Sequence, residues 1–292
     1  MPLIAALLLL PGCSTPASSS SPAPASTALP APTPSAAPTT PAAGRSPTPA
    51  ATAAAGGYDT LVVEPGQGMG AFYQAIAGAQ HSLDLVMYEL EDSIAVDDLI
   101  QAEKRGVSVR VILDQAYAKS ENQAAYAALL AGGVDVHWSS TQVDITHQKT
   151  LTVDSSKALI MTGNLTAQYY ASTRDFMVTD TDPRDVAAID AVFDADFAST
   201  AIQPSSGDDL VWSPGSEPAL AALIQGARKQ LLVENEEMSD QDIVTALEAA
   251  AERGVDVEVC MTDSSSWSSE FSALTRAGVR VYTVAFWMRR EG

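Results

Sequence analysis

Histidine is almost absent from this chain of 292 residues, which has three: His81, His137 and His147. Cysteine is scarcer still, with Cys13 and Cys260 alone. So few thiol and imidazole groups, none at zinc-ligand spacing, exclude a disulfide framework and a structural zinc site. Cations are also sparse. There are 16 Lys and Arg against 36 Asp and Glu, a net charge of −20 at pH 7. Such a field repels duplex nucleic acid unless the contact surface is locally basic, although an acidic surface also suits nothing more specific than the solvent around it. Arg45 is the single charge before residue 58. The apolar run Leu3–Leu10 falls far short of the roughly 20 residues that span a bilayer.

What is present at the N-terminus is a sequence of small residues. Residues 14–57 are almost entirely Ser, Pro, Ala, Thr and Gly. They carry too little apolar side chain to offset the entropy lost on ordering, and read as a flexible or partly extended tether. The folding unit is therefore expected from 58 onward. Leu3–Leu10 has the length of a signal-peptide core, and Leu10-Pro11-Gly12-Cys13 resembles the lipobox of bacterial lipoproteins. That resemblance implies a signal segment over 1–13 and a lipidated Cys13. It implies an exported protein held on the extracytoplasmic face of the cell membrane, with a plainly secreted form as the alternative. Pro11 departs from the pattern. No Lys or Arg precedes the apolar run, so the natural start is expected upstream of Met1. With Cys13 acylated, Cys260 has no disulfide partner. It lies in the alternation Val255-Asp-Val-Glu-Val-Cys260 and is expected to be a buried strand residue.

From residue 58 the apolar periods alternate between strand and helix. Leu83–Tyr88 reads as a strand, followed by a helix capped by Ser93 and stopped at Gly106. Val107–Leu113 alternates at period two. A helix around Ala124–Ala131 stops at Gly132-Gly133, and Val134-Asp-Val136 begins another strand. This order predicts an α/β sheet, mostly parallel, with helices on its faces. The pattern then recurs at an offset of 148: Gly78 with Gly226, Leu83 with Leu231, Leu85 with Val233, Gly106 with Gly254. Gly133-Val134-Asp-Val136 matches Gly278-Val279-Arg-Val281 at an offset of 145. The chain thus reads as two copies of one α/β unit, a first lobe over 58–203 and a second over 204–292.

Only the first copy goes on to a chemically loaded stretch, His147-Gln-Lys149, then Asp154 and Thr162-Gly163-Asn164. If 147–153 is a strand, His147 and Lys149 share a face that Leu151 and Val153 continue into the core. Asp154 has the opposite parity and is expected to be structural. Ser155-Ser156 make the turn of a hairpin whose return strand, Lys157–Met161, brings Thr162, Gly163 and Asn164 back near His147. Neutral imidazole is a competent nucleophile toward phosphorus near pH 7. Lysine and asparagine suit the charge growing on the non-bridging oxygens. Asp175 is a candidate to orient the imidazole, as a carboxylate does in hydrolytic triads.

The order H-x-K-x4-D followed by Gly-Asn resembles the signature of the phospholipase D superfamily. His147, Lys149, Asp154 and Asn164 fall in register. Thr162 stands where serine is usual, Met161 where the first glycine is usual, and Arg174-Asp175-Phe176 resembles the downstream Arg-acid element. The resemblance covers about 58–290. It implies a duplicated α/β/α sandwich of two lobes with the site at their pseudo-twofold interface. The implied activity is a phosphodiesterase of phospholipase D type with a phosphohistidine intermediate and no metal or cofactor. By this mapping His147 is nucleophile or acid, Lys149, Asn164 and Thr162 bind phosphate, Asp175 orients His147, and Asp154 and Gly163 are structural members of the motif. Phospholipid is the expected substrate, since export, anchoring through Cys13 and negative charge all disfavour nucleic acid.

The second histidine that this chemistry uses is missing. The local offset carries His147 onto Gly292, so a second motif is expected to begin where the sequence given stops, leaving the second lobe incomplete and turnover by this chain in question. His81 and His137 lack the accompanying Lys and Asn and are not expected to substitute. Three readings follow: a truncated or frameshifted two-lobed enzyme; two chains pairing as a homodimer, including a nuclease-type phosphodiesterase; and a non-catalytic module that binds phosphate-containing ligands.

Overall fold

The computed structural model describes residues 58–284. Cys13, the segment 1–13 and the tether 14–57 lie outside them. The first lobe runs β1 (Tyr58–Val63), α1 (Gly70–Gly78), β2 (Ser82–Met87), α2 (Ser93–Lys104), β3 (Ser108–Leu113), α3 (Lys119–Ala131), β4 (Asp135–Trp138), β5 (Lys149–Val153), β6 (Lys157–Met161), β7 (Phe176–Asp180) and α4 (Pro183–Phe197). Its seven strands form one sheet in the order β1-β7-β6-β5-β2-β3-β4. Strands β2, β3 and β4 are parallel, as the strand–helix alternation requires. The other half is antiparallel, so the expected mostly parallel sheet is instead mixed. The cause is local: the turn 154–156 is too short for a crossover, and two strands so joined can only run antiparallel.

Both faces of this sheet are covered. On one, Phe72 and Ile76 of α1, Leu99 of α2 and Leu129 of α3 pack against Leu83, Leu85, Val111 and Leu151. Leu83, Leu85 and Leu151 are wholly buried, and each such side chain contributes about 1.5–3 kcal/mol. On the other face α4 brings Phe193 onto Val86 and Ile112, and Val186 and Ile189 onto Ala158. The Arg110 fork clamps this layer, donating to both oxygens of Asp84 at 2.8 Å and to Asp194 at 2.7 Å.

The second lobe runs α5 (Glu217–Gly226), β8 (Gln230–Asn235), α6 (Gln241–Glu252), β9 (Asp256–Thr262), α7 (Ser268–Arg276) and β10 (Arg280–Val284). Its three described strands are parallel, in the order β10-β9-β8. The repeat extends to single side chains. Asp92 caps α2 by accepting from Ile94 N and Ala95 N, and Asp240 caps α6 through Asp242 N and Ile243 N. Arg105 donates to the carbonyl of Ile76, and Arg253 to that of Ile224. Gly106 and Gly254 stop their helices at φ of 90° and 84°, where a side chain would be strained. Ser93, expected as the cap, is the first helical residue instead, because the neighbouring Asp92 carboxylate takes both orphan N–H groups.

The lobes differ in their covering. In the first, Ile112 lies beneath Phe193 of α4. Its counterpart Cys260 has no helix over it among the described residues. It is half-buried rather than buried as expected, and it faces a cavity shared with the first lobe.

Candidate active site at the meeting of the lobes

Strand β5 starts at Lys149, so His147 sits on the approach to the strand rather than within it. The approach is held by Asp114, which is wholly buried at the end of β3. Its carboxylate accepts from Thr146 N at 3.0 Å, Tyr117 N at 2.8 Å and Ala118 N at 3.0 Å. Asn122, also wholly buried, donates to the carbonyls of Tyr88 and Asp114 and accepts from Leu90 N. This fixes Tyr88 beyond β2, where its ring meets the His147 ring edge-on at 4.6 Å between centroids.

Lys149 is 5% exposed, and Leu151 and Val153 continue its face into the core as the alternation predicts. Its Nζ donates to the His147 carbonyl at 2.8 Å and lies 4.9 Å from the Tyr88 ring centroid. Burial lowers the Lys149 pKa to about 8, against the opposing pull of Glu236, Asp175, Glu89 and Asp114. A buried amine poised this way binds an anion strongly, since little water competes for it.

The return of the hairpin completes the pocket. Asn164 donates through Nδ2 to Glu89 at 3.1 Å, while its buried Oδ1 has no hydrogen-bond partner. Burial raises the Glu89 pKa, with Glu91 and Glu121 adding to the shift. The Thr162 hydroxyl donates to Asp175 at 2.7 Å and accepts from Phe176 N at 2.9 Å. That side chain is thus engaged in holding Asp175 rather than turned toward a ligand. Gly163 is required by close approach: a Cβ there would lie 2.8 Å from Asp175 Cγ. Arg174 donates to the Glu64 carbonyl at 2.8 Å.

Asp154 stands apart from the cavity, as its parity indicates. Its carboxylate accepts from the backbone N–H of Gln80 at 3.0 Å, His81 at 2.7 Å and Ser82 at 2.9 Å. Burial alone would raise its pKa; these three donors outweigh it and hold the group below the usual carboxylate range. The remaining histidines do not line the cavity. His81 sits in the turn that Asp154 clamps, and His137 stacks on Phe197 at 3.9 Å.

His147, Lys149, Thr162, Gly163, Asn164 and Asp175 all line a single cavity of about 310 Å³. The second lobe supplies another wall, with Glu234, Asn235 and Glu236 from the end of β8 and Cys260 from β9. The sequence reading missed Tyr88, Glu89, Glu64 and these β8 carboxylates. Only the offset of 148, which aligns Glu236 with Tyr88, carried a signal for any of them.

Residues 72–197 match the family model described as cardiolipin synthase, phospholipase D-like domain. This segment belongs to the phospholipase D superfamily. The phospholipase D-like segment is similar to a curated phospholipase D of Rickettsia prowazekii (strain Madrid E), 31% identical over 96 residues that make up 32% of this chain and 44% of the relative. The chain thus spans under half the length of that protein. Among solved structures, polyphosphate kinase from Porphyromonas gingivalis is similar at a TM-score of 0.55 and 16% identity, over 76% of this chain and 40% of that one; this is likeness of fold. A phospholipase D family member, Nuc from Salmonella typhimurium, is similar at a TM-score of 0.44 and 20% identity, over 50% of this chain and 99% of that one.

Proposed function

We propose that the phospholipase D-like site hydrolyses phospholipid head-group phosphodiesters through a covalent intermediate on His147. The observation that carries this reading is the convergence of His147, Lys149, Asn164 and Asp175 on one cavity. In this account an imidazole nitrogen of His147 attacks phosphorus. Lys149 neutralises the phosphoryl oxygens, and Asn164 turns to them by exchanging its bond with Glu89. Asp175, steadied by Thr162, orients the His147 ring and balances the imidazolium that forms. The acidic chain favours a lipid diester over nucleic acid. Lipidation of Cys13 on an exported chain, with the tether behind it, keeps the site within reach of a membrane.

Head-group release from phospholipid vesicles tests the reading. Turnover by the native chain that is lost in His147→Ala supports it, and unchanged turnover in that variant overturns it. The competing reading, a binding module without turnover, is favoured by His147 being the one histidine that lines the cavity among the described residues. It requires that native chain and variant both bind vesicles and that neither releases head group.

A further inference from the structure

One buried carboxylate on the cavity wall has no part in the chemistry above. Glu64, directly after β1, lines the cavity and is 5% exposed. Its backbone is tied to the reacting side of the site: Glu64 N donates to the Asp175 carbonyl at 2.8 Å, and Arg174 donates to the Glu64 carbonyl at 2.8 Å. Its carboxylate is held by the turn that follows, where Gly68 N donates to Oε2 at 3.1 Å. Gly68 has φ of 68°, a conformation that suits glycine. The other oxygen, Oε1, is buried with no hydrogen-bond partner among the described residues. Buried polar atoms are nearly always paired, and one left open at a cavity is matched when a bound molecule brings the donor. The charge of the wall indicates which donor. Glu64, Asp175, Glu234 and Glu236 stand against Lys149 and Arg174, four carboxylates to two cations. A phosphodiester adds one more negative charge, so this wall favours a head group with a positive charge of its own. A quaternary ammonium carries that charge but no N–H. A primary ammonium carries both, and its hydrogen bond to a carboxylate is charge-assisted.

We propose that Glu64 selects a primary ammonium head group, its Oε1 accepting an N–H from ethanolamine while Lys149 holds the phosphate; this rests on the reading of the cavity as a phosphodiester site given above. Glu64 sets specificity and takes no part in the bond changes at phosphorus. Choline matches the charge of the wall but leaves Oε1 without a donor. Glycerol brings hydroxyl donors without the charge. The expected order of head-group release is therefore ethanolamine, then choline, then glycerol.

Vesicles holding the phosphatidyl diesters of ethanolamine, choline and glycerol in equal amounts provide the test, because all three then meet the same surface charge. The native chain is expected to release ethanolamine about 10–100-fold faster than glycerol, the effect of one hydrogen bond to a charged group. Glu64→Gln is expected to lower the ethanolamine-to-glycerol ratio about tenfold or more, and Glu64→Asp, which keeps the charge, to lower it less. A ratio read within one vesicle is not moved by a general loss of activity or of folded protein. Release of choline or glycerol by the native chain as fast as ethanolamine, or an unchanged ratio in Glu64→Gln, overturns the proposal. A native chain that releases no head group at all overturns the phosphodiesterase reading instead. Calorimetric binding of the soluble dihexanoyl forms of the same diesters then decides on Glu64. Tighter binding of the ethanolamine diester that is lost in Glu64→Gln supports its role, and equal binding of all three overturns it.

Discussion

Asp154 is expected to be worth more to stability than any other polar side chain of the histidine motif, and to matter little for chemistry. Its carboxylate receives three backbone N–H groups from the α1–β2 turn, and its own backbone sits at φ of 53°. Hydrogen bonds to a charged group contribute about 1.5–3 kcal/mol each, less where solvent replaces them. This side chain is partly exposed, so about 2–4 kcal/mol for the set is reasonable. Alanine adds left-handed backbone strain of about 1–2 kcal/mol that aspartate and asparagine largely escape. Asp154→Ala should therefore cost about 3–6 kcal/mol, and Asp154→Asn clearly less, because one amide oxygen still accepts. Urea unfolding at pH 7 measures both. The carboxyl is held below its usual range, so its contribution is fully present above the unfolded pKa of about 3.9 and is lost as pH falls through the folded value. The gap between native chain and Asp154→Asn should thus close below pH 4. A loss under 1 kcal/mol for Asp154→Ala, or a gap that stays open in acid, would refute the reasoning.

Two further outcomes follow from the site. Gly163→Ala drives a Cβ to 2.8 Å from Asp175 Cγ; overpacking of this kind costs about 1–3 kcal/mol, and turnover should fall more than stability, as parallel melting and activity assays would show. Lys149, with its pKa lowered by burial to about 8, should lose its hold on an anionic diester as pH rises, affinity dropping about tenfold per unit above 8. The sign reverses for stability: the unfolded lysine binds its proton up to about 10.4, so between those values the folded state gains as pH rises. Binding isotherms and urea unfolding across pH 7–10 test the two signs together.

How much of this was legible in the sequence depended on how local the cause was. The facing of Lys149, Leu151 and Val153 and the structural role of Asp154 follow from strand parity alone. The offset of 148 gave the registers of α6 and β9, since duplicated elements repeat their caps and stops. Sheet direction was misread because βαβ order speaks for β2 to β4 and is silent on strands added through a short hairpin. Ser93 was preferred to Asp92 because adjacent residues offer equivalent cap chemistry and periodicity does not choose between them. Cys260 seemed interior because alternation locates a face without saying whether another layer covers it. Glu89, Glu234 and Glu236 read as ordinary acidic residues in an acidic chain; Glu89 enters through its hydrogen bond with Asn164, and the place of Glu234 and Glu236 at the cavity depends on the packing of one lobe against the other.

The central claim is that His147 becomes covalently bonded to phosphorus. Rapid quenching of the native chain with a phosphatidyl diester, followed by proteolysis and mass spectrometry, tests it most directly. The account predicts an acid-labile phosphatidyl adduct on the peptide carrying His147, absent in His147→Ala. Head-group release with no adduct on His147, or an adduct on another residue, would contradict it.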